Sequence, residues 1–154
     1  MLIFKFLHIA FMFAAVTLVF GSIVFADLLA RRGDVATYLR LDAIVQRTDL
    51  VGVGLFVVGL VFGFATALTG GIDLTASWLL LAYILVAAIF IEGLFITIPR
   101  YNHIREVAMK GDPATAGAEI ARLVRAPAHV ALVVIVAVLW LSVIYVMVVK
   151  PTLF

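Results

Sequence analysis

The sequence predicts an all-α membrane protein in which four transmembrane helices form an antiparallel bundle. Two observations carry this prediction: four long apolar runs separated by short polar loops, and a composition that is 66% hydrophobic with a mean hydropathy of +1.28. A soluble chain of this composition would expose apolar surface that water does not tolerate, whereas lipid accepts such surface on every helix face. A soluble domain is therefore excluded.

Each apolar run meets or approaches the ~20 residues that a helix needs to cross ~30 Å of hydrocarbon. The predicted spans cover residues 3–26, 50–68, 74–98 and 128–149, within a single domain of residues 1–154. The first run follows Lys5, and a basic residue before an apolar stretch is also typical of a signal peptide. It is longer than a signal-peptide core and ends in Asp27 and two arginines instead of a cleavage site, so we expect a retained helix.

The two long polar loops are expected to contain further helical structure. Apolar and charged residues alternate loosely in residues 33–49, which predicts a short interfacial helix, with Thr48 and Asp49 as the N-cap of the second span. In the other loop, Gly111-Asp112-Pro113 interrupts the chain before a run of good helix formers in residues 114–124. We expect the third and fourth spans to extend into this loop and to be joined at the interruption.

The cationic residues predict the orientation in the membrane. Nine of the 11 Lys and Arg residues lie in the two long loops, and the short turn of residues 69–73 has none. The nine are Arg31, Arg32, Arg40, Arg47, Arg100, Arg105, Lys110, Arg122 and Arg125. The positive-inside rule places these loops in the cytoplasm and both termini outside, in a cytoplasmic (inner) membrane. The same rule accounts for the pI near 9.2, so nucleic acid is not expected as a partner.

Small residues on the first two spans predict close helix packing, because lipid gives helices little hydrophobic reason to associate. Gly52, Gly59 and Gly63 recur at helical spacing on the second span. The first span carries its own small stripe of Ala10, Ala14, Thr17 and Gly21. We expect the two stripes to face each other within the bundle; the alternative is a face for self-association or for another membrane subunit.

Glu92 is the one carboxylate well inside an apolar run, where a charge is costly. We expect it to be protonated or paired, with His129 as the partner in a buried polar pair, or with Arg100 or Arg125. A proton relay or a small-solute transporter centred on Glu92 is the functional alternative.

His8 lies near the opposite, outer end, with Met12 four residues later on the same helix face and Met147 near the end of the fourth span. One imidazole and two thioethers can bind Cu(I), and a His/Met pair, His8 with Met147, can hold a b-type haem. The chain has no cysteine, which excludes disulfides, thiolate metal sites and covalent haem attachment. Histidine and methionine are also ordinary constituents of membrane bundles.

The opening Lys5-Phe6-Leu7-His8-Ile9 and the closing Met147-Val148-Val149-Lys150-Pro151 give the chain a family resemblance. It resembles the bacterial four-helix integral membrane proteins of the domain of unknown function 2269 type. That family is distantly similar to the copper-resistance D-type and HemJ-like membrane proteins. The resemblance implies that His8 is the position of a histidine implicated in haem binding, whereas the third span lacks the lysine of the HemJ-like proteins.

No phosphate-binding loop, zinc-protease motif or Ser/His/Asp arrangement is present, so no catalytic residue is assigned. The sequence favours a structural or accessory subunit of a membrane complex with no catalysis of its own. A haem b- or copper-binding membrane protein using His8 is the second hypothesis, and a transporter using Glu92 is the third.

Overall fold

The computed structural model describes residues 2–151 and is built from α-helices. They are α1 (Leu2–Arg32), α2 (Val35–Thr69), α3 (Ser77–Glu92), α4 (Ile98–Lys110), α5 (Ala116–Arg125) and α6 (Pro127–Val149). A five-residue π-helical segment, Gly93–Thr97, joins α3 to α4 without a break. Four stretches of the described chain are long and apolar enough to cross a membrane: α1, α2, the continuous helix Ser77–Lys110, and α6. The predicted all-α polytopic fold is confirmed.

The first three spanning helices are longer than the predicted spans, and the largest difference is in α2. This helix begins at Val35, so the expected interfacial helix of residues 33–49 is continuous with the second span. The expected N-cap at Thr48 and Asp49 is wrong, because no glycine or proline separates residue 35 from residue 51 and helix propagation continues through it.

Asp34 caps α2 instead. Its carboxylate accepts hydrogen bonds from the Thr37 hydroxyl at 2.6 Å and from the Thr37 backbone N–H at 3.0 Å. These two bonds hold the pKa of the Asp34 carboxyl below its ordinary value, and the bond from the Thr37 hydroxyl has the larger effect.

The turn between α1 and α2 also positions α5. Gly33 adopts a left-handed conformation with φ 71°, and a Cβ placed there would lie 3.1 Å from the carbonyl oxygen of Gly117. Glycine at both positions lets the first turn of α5 rest directly on the α1–α2 turn. α5 therefore packs against the end of α1. α1 ends and α6 begins at this end of the bundle, which we call the α5 end.

The glycine stripe of α2 faces α1 in the structure. A Cβ on Gly52 would lie 2.7 Å from the Val19 side chain, one on Gly59 2.7 Å from Met12 Sδ, and one on Gly63 2.9 Å from the His8 ring. The three larger residues of α1 repeat the glycine spacing in the opposite direction, as antiparallel helices require. Each glycine therefore forms a notch that is filled by a large side chain.

The small residues of α1 that were expected to face α2 lie on a different face of the helix. Ala10, Thr17 and Gly21 are exposed and Ala14 is half-buried, and a Cβ added to Gly21 would meet nothing within 4 Å. The glycines of α2 already leave room for close approach. The facing helix, α1, therefore places larger side chains there, which fill the space.

Two buried apolar clusters hold the helices together. In the middle of the bundle, Phe56 packs against Trp140 with ring centroids 5.2 Å apart, in a cluster completed by Ala15, Ile23 and Val136. At the α5 end, a second cluster draws on α1, α2, α4 and α5: Leu29, Ala30, Tyr38, Ile104, Ala108, Ile120 and Val124. The α5 end is therefore a packed junction of four helices.

Gly52→Ala is expected to destabilise the protein by about 1–3 kcal/mol, because the new methyl group would collide with Val19 and with the Leu18 Cβ at 3.1 Å. Gly54 is the matched control: it lies on the same helix, and a Cβ there meets nothing within 4 Å. Gly54→Ala is expected to be neutral or to stabilise by up to about 1 kcal/mol through helix propensity. Unfolding in mild detergent measures both, and equal effects would contradict the close packing of α1 on α2.

Candidate functional site

A polar cluster of three side chains lies at the α5 end: Asp27 of α1 and His129 of α6, which are buried, and Tyr101 of α4, which is half-buried. His129 Nε2 lies 2.9 Å and 3.0 Å from the two carboxylate oxygens of Asp27. The Tyr101 hydroxyl donates to Asp27 Oδ1 at 2.6 Å. The Tyr101 and His129 rings also meet edge to face, with centroids 5.7 Å apart. One carboxylate therefore connects three helices.

Local sequence explains how each helix delivers its side chain. Asp27 occupies the same α1 face as the buried Ile23, Ala26 and Ala30, at helical spacing. His129 lies in the first turn of α6, which Pro127 begins. The extended backbone of Ala126, with ψ 137°, separates α5 from α6 and turns the chain back toward α1.

The protonation chemistry of the cluster follows from its geometry. An ionised carboxylate only accepts hydrogen bonds, so a neutral His129 ring carries its proton on Nε2 and donates a hydrogen bond to Asp27. The remaining nitrogen, Nδ1, is then a lone-pair acceptor. The side chain of His129 is fully buried, and Nδ1 has no hydrogen-bond partner among the described residues. This nitrogen can accept a hydrogen bond.

A second acid, Asp42 of α2, binds α4 at the same end. Arg105 Nε and a terminal nitrogen reach the two carboxylate oxygens at 2.6 Å and 3.2 Å, a bidentate pair. Gln46 donates to Asp42 Oδ2 at 2.7 Å, and Asn102 accepts from Arg105 at 3.0 Å. Asp42 therefore joins α2 to α4 through hydrogen bonds, in the same way that Asp27 joins α1 to α4 and α6.

Glu92 has a different partner from the one predicted. The Thr97 hydroxyl donates to Glu92 Oε1 at 2.6 Å. The two residues are five apart, and the wide π-helical turn between them brings residues i and i+5 together. Glu92 is buried, with 8% of its surface exposed, and this bond gives it a donor within its own helix.

The predicted Glu92–His129 pair is not formed: Glu92 accepts its hydrogen bond from Thr97, and the bonded partner of His129 is Asp27. The two arginines considered as alternative partners bind backbone carbonyls instead. Arg100 donates to the Leu123 carbonyl and Arg125 to the Arg31 carbonyl, each at 3.0 Å.

At the other end of the bundle, the His8 ring is held between α1 and α2. His8 Nδ1 lies 2.7 Å from the carbonyl oxygen of Gly59. Because a carbonyl only accepts, Nδ1 carries the proton and Nε2 is left as the unprotonated nitrogen of the neutral ring. Met12 packs against Gly59 one turn along α1, whereas Met147 lies half-buried near the end of α6. Among residues 2–151, no three His, Cys, Asp or Glu side chains are grouped as metal ligands.

Sequence reasoning missed Asp27 and Tyr101. In the sequence, Asp27 only marks the end of the first apolar run, four residues before Arg31. A signal was present: Asp27 falls in register with the apolar positions of α1, three residues before Ala30 and four after Ile23, so a helix that buries those residues also buries the carboxylate. His129 was singled out, but with the wrong partner.

The fold and the polar cluster define a multi-pass α-helical protein of the lipid bilayer, with helices joined at one end by buried acids. Comparisons with protein-family models, with curated proteins and with solved structures found no match.

Asp27→Ala is expected to destabilise the protein by about 2–5 kcal/mol, because it removes the acceptor of both the buried His129 ring and the half-buried Tyr101 hydroxyl. Asp49→Ala is the matched control: Asp49 is half-buried and accepts one bond from Ser22 at 3.2 Å, while the Ser22 hydroxyl keeps the Val19 carbonyl as an acceptor. The control is expected to cost about 0.5–1.5 kcal/mol. Unfolding in detergent is the measurement, and an Asp27→Ala effect no larger than the control would refute the three-helix role.

Proposed function

We propose that this protein is a structural or accessory subunit of a membrane complex, with no catalysis of its own, in the cytoplasmic membrane of a bacterium. The observation that supports this role most directly is the use of the buried acids. Asp27, Asp42 and Glu92 bind donors of the same chain, on other helices or on their own. Carboxylates used in this way fix the helices relative to one another, as a scaffold requires.

The outer surface supports the same role. Large apolar side chains face outward on all four spans, including Phe13 on α1, Val61 on α2, Ile84 on α3 and Leu141 on α6, each at least 60% exposed. Such a surface is compatible with lipid and with the apolar face of another transmembrane subunit. A rigid bundle with an apolar exterior is suited to stabilising a neighbouring subunit by contact.

The distribution of charge supports an orientation with the α5 end in the cytoplasm. Arg31, Arg122 and Arg125 lie at that end, at the ends of α1 and α5, whereas the turn around Gly71 at the opposite end has no cationic residue. Under the positive-inside rule both termini lie outside.

Reporter fusions test this orientation. A reporter inserted at Gly71 or fused after Phe154 is expected to be active on the outer side of the membrane, and one inserted at Gly111, between α4 and α5, on the cytoplasmic side. An inside reading at Gly71 together with an outside reading at Gly111 would reverse the proposal.

A haem b- or copper-binding protein is the second candidate, and the geometry of His8 favours it. Histidines that bind metals usually donate their other ring N–H to a carbonyl or carboxylate, which fixes the ring and its tautomer. The Gly59 carbonyl holds His8 in this way and leaves the lone pair of Nε2 available to a metal ion. His8 would hold the iron or copper, with Met147 as the second haem ligand, or with Met12 and Met147 as thioether ligands of copper.

One purification distinguishes the two candidates. Wild type, His8→Ala and the control His103→Ala, an exposed histidine at the other end, are isolated from native membranes in mild detergent. A subunit is expected to be colourless and metal-free and to co-migrate with one other membrane protein at constant stoichiometry in all three preparations. The visible spectrum, iron and copper per chain, and the composition of the particle are measured.

A Soret band or near-stoichiometric copper in wild type and His103→Ala, lost in His8→Ala, would replace the subunit proposal with ligand binding. Met147→Leu then decides whether α6 supplies the second ligand. A colourless chain that migrates alone in every preparation contradicts both candidates.

A further inference from the structure

A surface cleft lies between α5 and α6, on the outside of the α5 end. It has a volume of about 710 Å³ and is lined by Ala118, Ala121, Arg122, Leu123, Arg125, Ala126 and Pro127. Its walls are mainly apolar, and its charged groups are two guanidinium groups. Because Pro127 begins the α6 span, the cleft lies where the chain enters the hydrocarbon, at the depth of the lipid headgroups.

The two arginines of the cleft are exposed and only weakly neutralised. Arg122 meets Glu119 at 3.5 Å, a long ion pair in which the Arg122 side chain stays 77% exposed. Arg125 donates to the carbonyl of Arg31 at 3.0 Å. That bond neutralises no charge, and it fixes the guanidinium beside the last turn of α1, which carries Arg31 and Arg32. The surface therefore retains an excess of positive charge around the cleft.

The cleft is built into a rigid part of the fold. α5 buries Ala116, Ile120, Ala121 and Val124 on one face, and the contact of Gly33 with Gly117 sets its first turn on the α1–α2 turn. Arg122 and Arg125 fall on the remaining, outward part of the helix. A fixed helix holds the backbone of both arginines in place, so binding of a ligand has to order only their side chains.

We propose that the α5–α6 cleft binds the headgroup phosphate of an anionic phospholipid, with Arg122 and Arg125 as its ligands. The apolar walls at Leu123 and Pro127 suit the glycerol and first methylenes of an acyl chain, and the guanidinium groups suit the phosphate, which they bind through paired N–H donors. Charge complementarity and the depth of the cleft together select this occupant over an apolar helix.

The test is native mass spectrometry of the full chain in mild detergent, at 0.15 M salt. Phosphatidylglycerol is titrated against phosphatidylcholine with the same acyl chains. Wild type is expected to retain phosphatidylglycerol preferentially. Arg122→Gln is expected to weaken this binding roughly 5-fold, and the double variant R122Q/R125Q roughly 30-fold. Arg122→Gln alone keeps the test valid if loss of the Arg125–Arg31 bond unfolds the double variant.

The double variant R40Q/R47Q is the matched control, since it removes two exposed cations of α2 that do not line the cleft. It is expected to change phosphatidylglycerol binding by less than roughly 3-fold, because salt screens distant charges. Equal binding of the two lipids by wild type, an Arg122→Gln variant that binds like wild type, or an equal loss in the control would overturn the proposal. Displacement of the lipid by an equal concentration of inorganic phosphate would also overturn it, by identifying a soluble phosphate as the ligand.

Discussion

The hydrogen bonds that Asp27 accepts from Tyr101 and His129 are the interaction on which the arrangement of the helices depends. A carboxylate buried between helices is shielded from water, so the chain itself must provide its donors. Asp27 takes one donor from α4 and one from α6, at 2.6 Å and 2.9 Å. The requirements of one acid on α1 therefore fix two other helices, and Asp42 adds α2 through its bidentate pair with Arg105.

The two ends of the bundle are held by different forces. At the α5 end, buried acids and a packed apolar cluster join four helices. Toward the opposite end, α1 and α2 associate through notches at Gly59 and Gly63 that Met12 and His8 fill, so dispersion between packed groups acts together with one hydrogen bond, from His8 Nδ1 to the Gly59 carbonyl. α1 takes part in the contacts at both ends of the bundle. These contacts together determine the rotation of α1 about its own axis.

The α5 end also separates its charges by depth. The acids Asp27 and Asp42 are buried and engaged with donors, whereas Arg122 and Arg125 are exposed on the surface above them. Because the buried acids have partners of their own, they do not neutralise the surface arginines, whose contacts are the long Arg122–Glu119 pair and the bond from Arg125 to the Arg31 carbonyl. A scaffold fixed internally and attached to anionic lipid at one face would hold its apolar exterior at a constant depth for a neighbouring subunit.

The sequence by itself determined the class, the number of spans and the positions of the glycine stripe, because long apolar runs and helical spacing are local properties of the chain. It also singled out Glu92, His8 and His129 as unusual residues. Only the tertiary structure decided what these residues meet. The rotation of α1 turned Met12 and Val19, rather than Thr17 and Gly21, toward α2, and it buried Asp27 beside His129. The π-helical turn gave Glu92 a local partner in Thr97. Helix rotation and wide turns depend on how all the helices pack together, and periodicity within one helix does not specify them.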